Sequence, residues 1–341
     1  MSVTARSSVY DHSPTAAHAA RPRFSIVVPA FNESENLLRL LQSIAAAADD
    51  AATDILVVDN HSTDETADLA REAGVQVLRP PQKQTIAALR NLGAAATSGE
   101  IIVFIDADME VPADWFDVLT TEFDDPTVDG VGIVEDIPAA APWFAQIWSR
   151  RTLARRSKRR KADFLPGRNI AVRRDVFDRI GGFSDQLRTS EDKDFTMRAK
   201  QSGAALYSLV HPGVVHWGYE RDFAEWCRKE FWRQRSHLAM LERHGVSLRL
   251  LRFPLLSLAH LLGVLFFVAV GGLNVSMTLL VGICLIAPSL ALTLAHKESR
   301  RSFRDVLAFT GLYFCRFVIA GAAVATEAID RLRADKPRGK A

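Results

Sequence analysis

From Pro254 to Ala295 the chain contains no Asp, Glu, Lys or Arg, and His260 and Asn274 are its strongly polar breaks. A membrane crossing needs about 20 consecutive apolar residues. This stretch therefore predicts two transmembrane helices, at 252–270 and 275–295, with a tight turn at Gly271 to Asn274. A further apolar segment at 306–326 carries Arg316 in its middle, so it reads either as a third span or as an interfacial or re-entrant helix. Lys297, Arg300, Arg301 and Arg304 follow the second span. If the preceding part of the chain lies in the cytoplasm, a two-helix hairpin returns to this basic loop, as the positive-inside tendency expects. A third full crossing would put the basic tail at 329–341 outside, against that tendency.

The 341 residues divide accordingly into a flexible tail at 1–22, a folded domain at 23–245, a membrane domain at 250–328 and the basic tail at 329–341. Residues 1–22 mix Ser, Thr, Ala, His and Arg and offer no apolar run suited to a signal-peptide core, so the domain behind them is expected to stay in the cytoplasm. A formal charge of +2 says nothing about partners. Cys227, Cys284 and Cys315 are widely spaced and show neither a disulfide framework nor a metal-cysteine pattern. No internal repeat is evident.

Within the domain, strand and helix patterns alternate. Phe24 to Val28 is a short apolar, β-branched run ending at Pro29, and Glu33 to Ala48 carries Leu37, Leu38, Leu41 and Ile44 at helical spacing. Ile55 to Val58, Val75 to Leu78 and Ile101 to Ile105 read as further strands, separated by helices at Asp64 to Ala73 and Thr85 to Ala96. Short, continuously apolar strands alternating with helices predict an α/β domain with a mostly parallel central sheet covered on both faces. Ligands bind such sheets beyond the carboxyl ends of the strands. The polar residues just after the strands are therefore the candidates: Asn32 and Glu33, Asp59 and Asn60, Asp106 and Asp108.

Asp106 and Asp108 flank Ala107, and alternate residues of an extended chain point the same way. Two carboxylates so placed suit a hard divalent cation shared with substrate phosphate oxygens. An acidic pair of this kind also occurs as an ordinary solvated turn, so the surrounding motifs matter. Pro29-Ala30-Phe31-Asn32-Glu33 follows the first strand, and Asp59-Asn60-His61-Ser62-Thr63-Asp64 follows the second. Arg90-Asn91-Leu92-Gly93 precedes the strand that carries the acidic pair. Gly167-Arg168-Asn169, Gly181-Gly182-Phe183 and Ser190-Glu191-Asp192-Lys193-Asp194 come later. In this order the residues resemble inverting glycosyltransferase family 2, whose domain has the Rossmann-like GT-A nucleotide-binding fold. The resemblance covers roughly Phe24 to His216.

That resemblance implies roles. Pro29, Phe31 and Glu33 would line the nucleotide pocket, Asp59 would bond the base, Arg90 would assist, and Asp106 would sit near the ribose. Asp108 would ligate Mn²⁺ or Mg²⁺ on the diphosphate, and Asp192 would be the general base. His216, after the run Val214-Val215, stands where the family often has a histidine completing the metal site or touching the diphosphate; a lone histidine is as readily a packed, hydrogen-bonded residue. The chain departs from the commonest pattern at Asn60 and His61, where Asp and Gly usually follow the base-binding aspartate. The donor would be a UDP- or GDP-sugar, used by a metal-dependent hexosyltransferase-type enzyme.

Trp143 to Trp148 is aromatic and runs into the basic stretch Arg150 to Lys161. A solvated basic segment is one reading. The other sets Trp143, Phe144, Ile147 and Trp148 at a lipid boundary, with basic residues on headgroups or on the phosphates of a lipid-linked acceptor. Arg155, Arg156, Arg159, Arg160, Arg168 and Arg235 are the candidates for those anionic contacts. Nucleic-acid binding is not expected of a chain held by apolar spans. Trp232-Arg233-Gln234-Arg235 is similar to the Gln-x-x-Arg-Trp element of processive polysaccharide synthases, but no tryptophan follows the arginine.

The expected function is transfer of one sugar to a lipid-linked or membrane-held acceptor in envelope or exopolysaccharide assembly, by a multi-pass membrane protein with its catalytic domain on the cytoplasmic face. Sugar transfer to polyprenyl phosphate and a non-catalytic scaffold on the same fold are the rival readings.

Overall fold

The computed structural model describes residues 22–48, 53–153, 159–270, 275–296 and 302–334. Its first half follows the expected alternation: β1 (Phe24–Ala30), α1 (Leu37–Ala47), β2 (Thr53–Asp59), α2 (Thr66–Glu72), β3 (Gln76–Leu78), α3 (Ile86–Ala95) and β4 (Ile101–Ile105). Side-chain alternation along β1 explains why both faces of the sheet are covered. Ile26 and Val28 enter one core with Leu40 and Ile44 of α1. Val27, between them, enters the opposite core with Leu89 of α3 and Phe104 of β4. The side chain of Thr85 caps α3, its Oγ1 accepting from Ala88 N at 3.2 Å. β1 continues through Pro29 to Ala30, two residues beyond the predicted end. Its ladder with β4 has stopped at Val27, so the missing Pro29 N–H removes no bond from that side.

The second half contains β5 (Met109–Glu110), α4 (Trp115–Asp124), β6 (Gly130–Asp136), α5 (Trp143–Leu153), β7 (Arg159–Lys161) and β8 (Asn169–Arg173). After these come α6 (Arg174–Arg179), α7 (Glu191–Gln201), β9 (Leu206–His216), α8 (Phe223–Arg233) and α9 (His237–His244). The strands form one sheet in the order β3-β2-β1-β4-β8-β6-β9-β5, with β7 also paired to β9. The run β3-β2-β1-β4 is parallel, as predicted. Beyond β4 the sheet is mixed, because β8 lies antiparallel between β4 and β6. β8 enters at the ligand end, with Asn169 opposite Ile105, and this reversal carries Gly167 and Arg168 to the acidic pair.

Three long apolar helices complete the chain: α10 (Leu248–Val270), α11 (Val275–Ala295) and α12 (Phe303–Ala334). Each is long and apolar enough to cross a membrane. A third core joins them to the α/β domain, where Phe144 and Trp148 of α5 pack with Trp226 of α8 and with Phe309, Leu312 and Tyr313 of α12. Phe144 and Trp148 are thus 4% and 8% exposed and do not face lipid, contrary to the interfacial reading of this segment; Trp143 remains exposed. Burial against α8 and α12 satisfies these rings within the protein.

Candidate active site

A cavity of about 230 Å³ opens beyond the carboxyl ends of β1, β2 and β4. Pro29, Phe31, Glu33, Asn60, Asp106 and Asp108 are among the residues that line it. The loops that form it are tied to each other. Asn32 holds a left-handed φ of 55°, which lets its N–H donate to Ser62 Oγ at 2.9 Å while its Oδ1 accepts from Thr63 N at 2.8 Å. Glu33 N donates to Thr66 Oγ1 at 2.8 Å. His61, where the commonest pattern has glycine, also adopts positive φ (62°), with its Nε2 2.8 Å from the Pro80 carbonyl.

The acidic pair divides its contacts. Asp106 Oδ1 accepts from Arg90 Nη2 at 3.0 Å, and Arg90 Nη1 reaches Glu191 Oε1 at 2.9 Å. Arg90 is buried, so one guanidinium serves two carboxylates away from bulk water. Gly167 makes room for it: a Cβ there would stand 2.9 Å from Arg90 Nη1. Asp108 faces the other way. Its Oδ2 lies 3.2 Å from His216 Nε2, because β5 pairs with β9 and sets Met109 opposite His216. Trp217 N donates to the Asp108 carbonyl at 2.8 Å, and Trp217 Nε1 to Glu110 Oε2 at 2.6 Å.

Asp192 stands in the first turn of α7, where the helix dipole favours acids. The preceding Ser190 takes a left-handed φ of 64°. Asp192 Oδ2 accepts from Gly167 N at 3.1 Å and Oδ1 from Lys193 N at 2.7 Å. The next residue, Arg168, receives the Asp106 N–H on its carbonyl at 3.1 Å. Two bridges therefore join the acidic pair to Asp192: the Arg90 side chain through Glu191, and the backbone of residues 167–168.

The carboxylates of the site are shifted in opposite directions. Burial pushes the Glu33 carboxyl up; the nearby charges of Asp108 and Asp106 add to this against a hydrogen bond from Asn36. Burial likewise raises Asp106 despite Arg90. Asp108 ends below the usual carboxylate range, because its bond to His216 and the nearby charges outweigh burial. Burial and the neighbouring Glu191 push Asp192 up to about 6.

Asp108 Oδ1 is buried without a hydrogen-bond partner, and so are both amide atoms of Asn169. An orphaned carboxylate oxygen beside an imidazole nitrogen is a donor set that a divalent cation fits. Among the described residues no cluster of three or more His, Cys, Asp or Glu side chains has metal-binding spacing. The protein's share of such a site would be Asp108 with His216, and the remaining ligands would come from substrate oxygens and water.

Other predicted residues lie elsewhere. Asp59 is fully buried, with Oδ2 accepting from Arg79 Nε at 2.6 Å and Oδ1 from Ser62 N at 3.2 Å, and it does not line the cavity. Asn60 does. Arg168 is at the site, paired with Glu135. Arg159 pairs with Glu122 and stacks on Tyr207, and Arg235 pairs with Asp330. Arg160 lies on β7 opposite Ser208. Arg155 and Arg156 lie outside the described residues.

Sequence reasoning missed two contributors. Glu191 is given no role by the motif that contains it, yet it is buried and anchors Arg90. Gly218 carries no motif, yet a Cβ on it would meet Asp108 Oδ2 and stand 3.0 Å from His216 Nε2.

The fold and site define a GT-A glycosyltransferase, a Rossmann-like sheet with an acidic pair at its ligand end. Residues 25–181, just under half of the chain, match the family described as Glycosyl transferase family 2. Among curated proteins, the glycosyltransferase AglE of Haloferax volcanii is 28% identical over 239 residues, which covers 67% of this chain and 77% of AglE. The β-monoglucosyldiacylglycerol synthase of Nostoc sp. is 26% identical over 246 residues, covering 67% of this chain and 52% of the synthase. The chain thus spans about half the length of that synthase. Among solved structures, the mannosyltransferase PcManGT of Pyrobaculum calidifontis, in complex with GDP-Man and Mn²⁺, aligns with a TM-score of 0.56 at 20% identity, over 93% of this chain and 88% of that one. S. aureus TarS 1-349 in complex with UDP-GlcNAc aligns with a TM-score of 0.51 at 18% identity, over 64% and 66%. These two likenesses speak to the fold.

Proposed function

We propose that the chain transfers one sugar, with inversion, from a nucleotide-diphosphate donor to a hydroxyl of a lipid-linked or membrane-held acceptor, from the cytoplasmic face of a membrane. The observation that carries this reading is the bridged pair of centres: Asp108 with His216 on one side, and Asp192 on the other, joined through Arg90 and residues 167–168. Pro29, Phe31, Glu33 and Asn60 offer the nucleotide a partly apolar cavity. Asp108 and His216 would hold Mn²⁺ or Mg²⁺, which when bound offsets the charge left on the diphosphate oxygens.

Asp192 takes the acceptor's hydroxyl proton as that oxygen forms its bond to the anomeric carbon. The bond from that carbon to the diphosphate oxygen breaks, and the nucleoside diphosphate leaves on the opposite face. A base held near 6 is ionised at neutral pH yet basic enough for this step. Arg90 fixes Asp106 and Glu191, so the two centres keep their spacing through the reaction. The donors named with PcManGT and TarS, GDP-Man and UDP-GlcNAc, are both diphosphate sugars, and a diphosphate sugar is the donor class proposed here. The glycolipid-forming synthase among the relatives supports a membrane-held acceptor.

The test is to incubate membranes containing the chain with a panel of radiolabelled UDP- and GDP-sugars and to follow label into the lipid extract. Transfer from one donor, absent with Asp108→Ala, supports the proposal. A phosphate acceptor needs no strong base, so full activity in Asp192→Asn would replace the hydroxyl with polyprenyl phosphate.

A further inference from the structure

By length and composition α12 could cross a bilayer, but the α/β domain holds it near its start, at its middle and near its end. Near its start, Arg150 of α5 donates to Asp305 at 2.9 Å. Tyr313 packs on Trp148, with ring centroids 5.4 Å apart. At mid-helix, Arg316 Nε is 3.3 Å from Glu230 of α8. Near its end, Glu327 accepts from the backbone N–H groups of Leu238 and Ala239 at 3.1 and 3.0 Å, capping α9. Asp330 pairs with Arg235 at 2.5 Å, and Arg331 pairs with Glu242. At 1.5 Å per residue, Asp305 and Arg331 are about 39 Å apart, which exceeds the ~30 Å of a bilayer's hydrocarbon core. Two ends that far apart cannot lie on opposite sides of a membrane and both bond a domain on one side of it. The Arg316–Glu230 pair would moreover fall at mid-bilayer, where charge is costly.

The faces of α12 agree with this. At about 100° per residue, Asp305, Tyr313, Arg316, Glu327 and Asp330 fall within an arc of about 100°. Phe303, Leu307, Ile329 and Leu332, which are 75%, 57%, 47% and 68% exposed, fall together on the opposite side, within about 80° of one another. The α10–α11 hairpin meets α12 on the flank between these two faces. Phe317 stacks on His260 with ring centroids 4.6 Å apart, and Thr310 Oγ1 donates to Thr293 Oγ1 at 3.2 Å. A Cβ on Gly321 would stand 2.8 Å from Leu261 Cβ, so the absent side chain admits the close approach of α10.

We propose that α12 lies flat in the lipid headgroup boundary, between the catalytic domain and the membrane, and that α10 and α11 alone enter the bilayer. Exposed Phe, Leu and Ile beside Arg304 and Arg333 suit that boundary. The basic residues around both ends of α12 then share the catalytic domain's side. Two crossings thereby satisfy the positive-inside tendency that three would break.

The test places single cysteines at Glu72→Cys in the catalytic domain and at Arg304→Cys and Arg333→Cys on α12, with Cys227, Cys284 and Cys315 replaced by serine. Sealed vesicles of each orientation are treated with a membrane-impermeant maleimide. Labelling of all three positions from one side supports the proposal. Labelling of positions 304 and 333 from opposite sides overturns it, and so does recovery of the chain in the soluble fraction. Should the serine background fail to insert, a protease-cleavable tag after Ala341 on the natural chain reads the same question: cleavage from the catalytic-domain side supports the proposal, and cleavage from the other side overturns it. Neither readout depends on transferase activity.

Discussion

Gly218 leaves no room for a side chain beside Asp108: a Cβ built on it would stand 2.7 Å from Asp108 Cγ. Gly218→Ala should push the Asp108 carboxylate away from His216. The expected result is a fall in kcat/KM of about 100-fold, equivalent to about 2.7 kcal/mol, with an unchanged circular dichroism spectrum. Activity within a few fold of wild type would show that the spacing of this pair is unimportant.

His216→Ala removes one of the two protein groups at the cation position. The Mn²⁺ concentration for half-maximal activity should rise by about 10-fold or more, while activity at saturating metal recovers in part. An unchanged metal requirement would restrict His216 to a packing role.

Arg90 is buried between Asp106 and Glu191, and its loss strands both carboxylates. Arg90→Ala should cost about 3–5 kcal/mol of stability, seen as a fall of about 10 °C in Tm. Arg90→Lys keeps the charge but not the two-pronged geometry. It should retain more of the stability than Arg90→Ala while still losing about 10-fold or more in kcat.

Asp192, pushed up to about 6, sets two opposite pH effects. As a base it works when ionised, so kcat/KM should rise with pH through about 6 and then level off. For stability the sign reverses. The folded state holds this proton more tightly than the unfolded chain, so stability is lost as pH rises from about 4 to about 6 and stays lower above. Asp192→Asn should therefore be inactive toward a hydroxyl acceptor, yet more stable than wild type at pH 8, by at most about 3 kcal/mol. The two proteins should melt together below pH 4, and a variant no more stable at pH 8 would contradict the burial of this carboxylate.

The parallel half of the sheet was legible because its strands are short, apolar and buried on both faces, so β1, β2 and β4 stand out between polar turns. Asp106, Asp108 and Asp192 were legible through motifs whose residues are close in sequence. The β8 reversal was not, since no local pattern encodes strand direction. The setting of Asp59 depends on Arg79, twenty residues on, and that of Trp148 on Trp226 and Tyr313, contacts between distant segments that no periodicity announces. Gly218 escaped notice because its role is an absence of side chain, visible only once Asp108 is placed next to it.

The most direct test of the proposed site is calorimetric titration of the detergent-solubilised chain with UDP and GDP, with and without Mn²⁺. Metal-dependent binding of one nucleotide is expected in wild type and in Asp192→Asn, and its loss is expected in Asp108→Ala. Absence of metal-dependent binding in wild type, or its survival in Asp108→Ala, would contradict a donor site centred on Asp108.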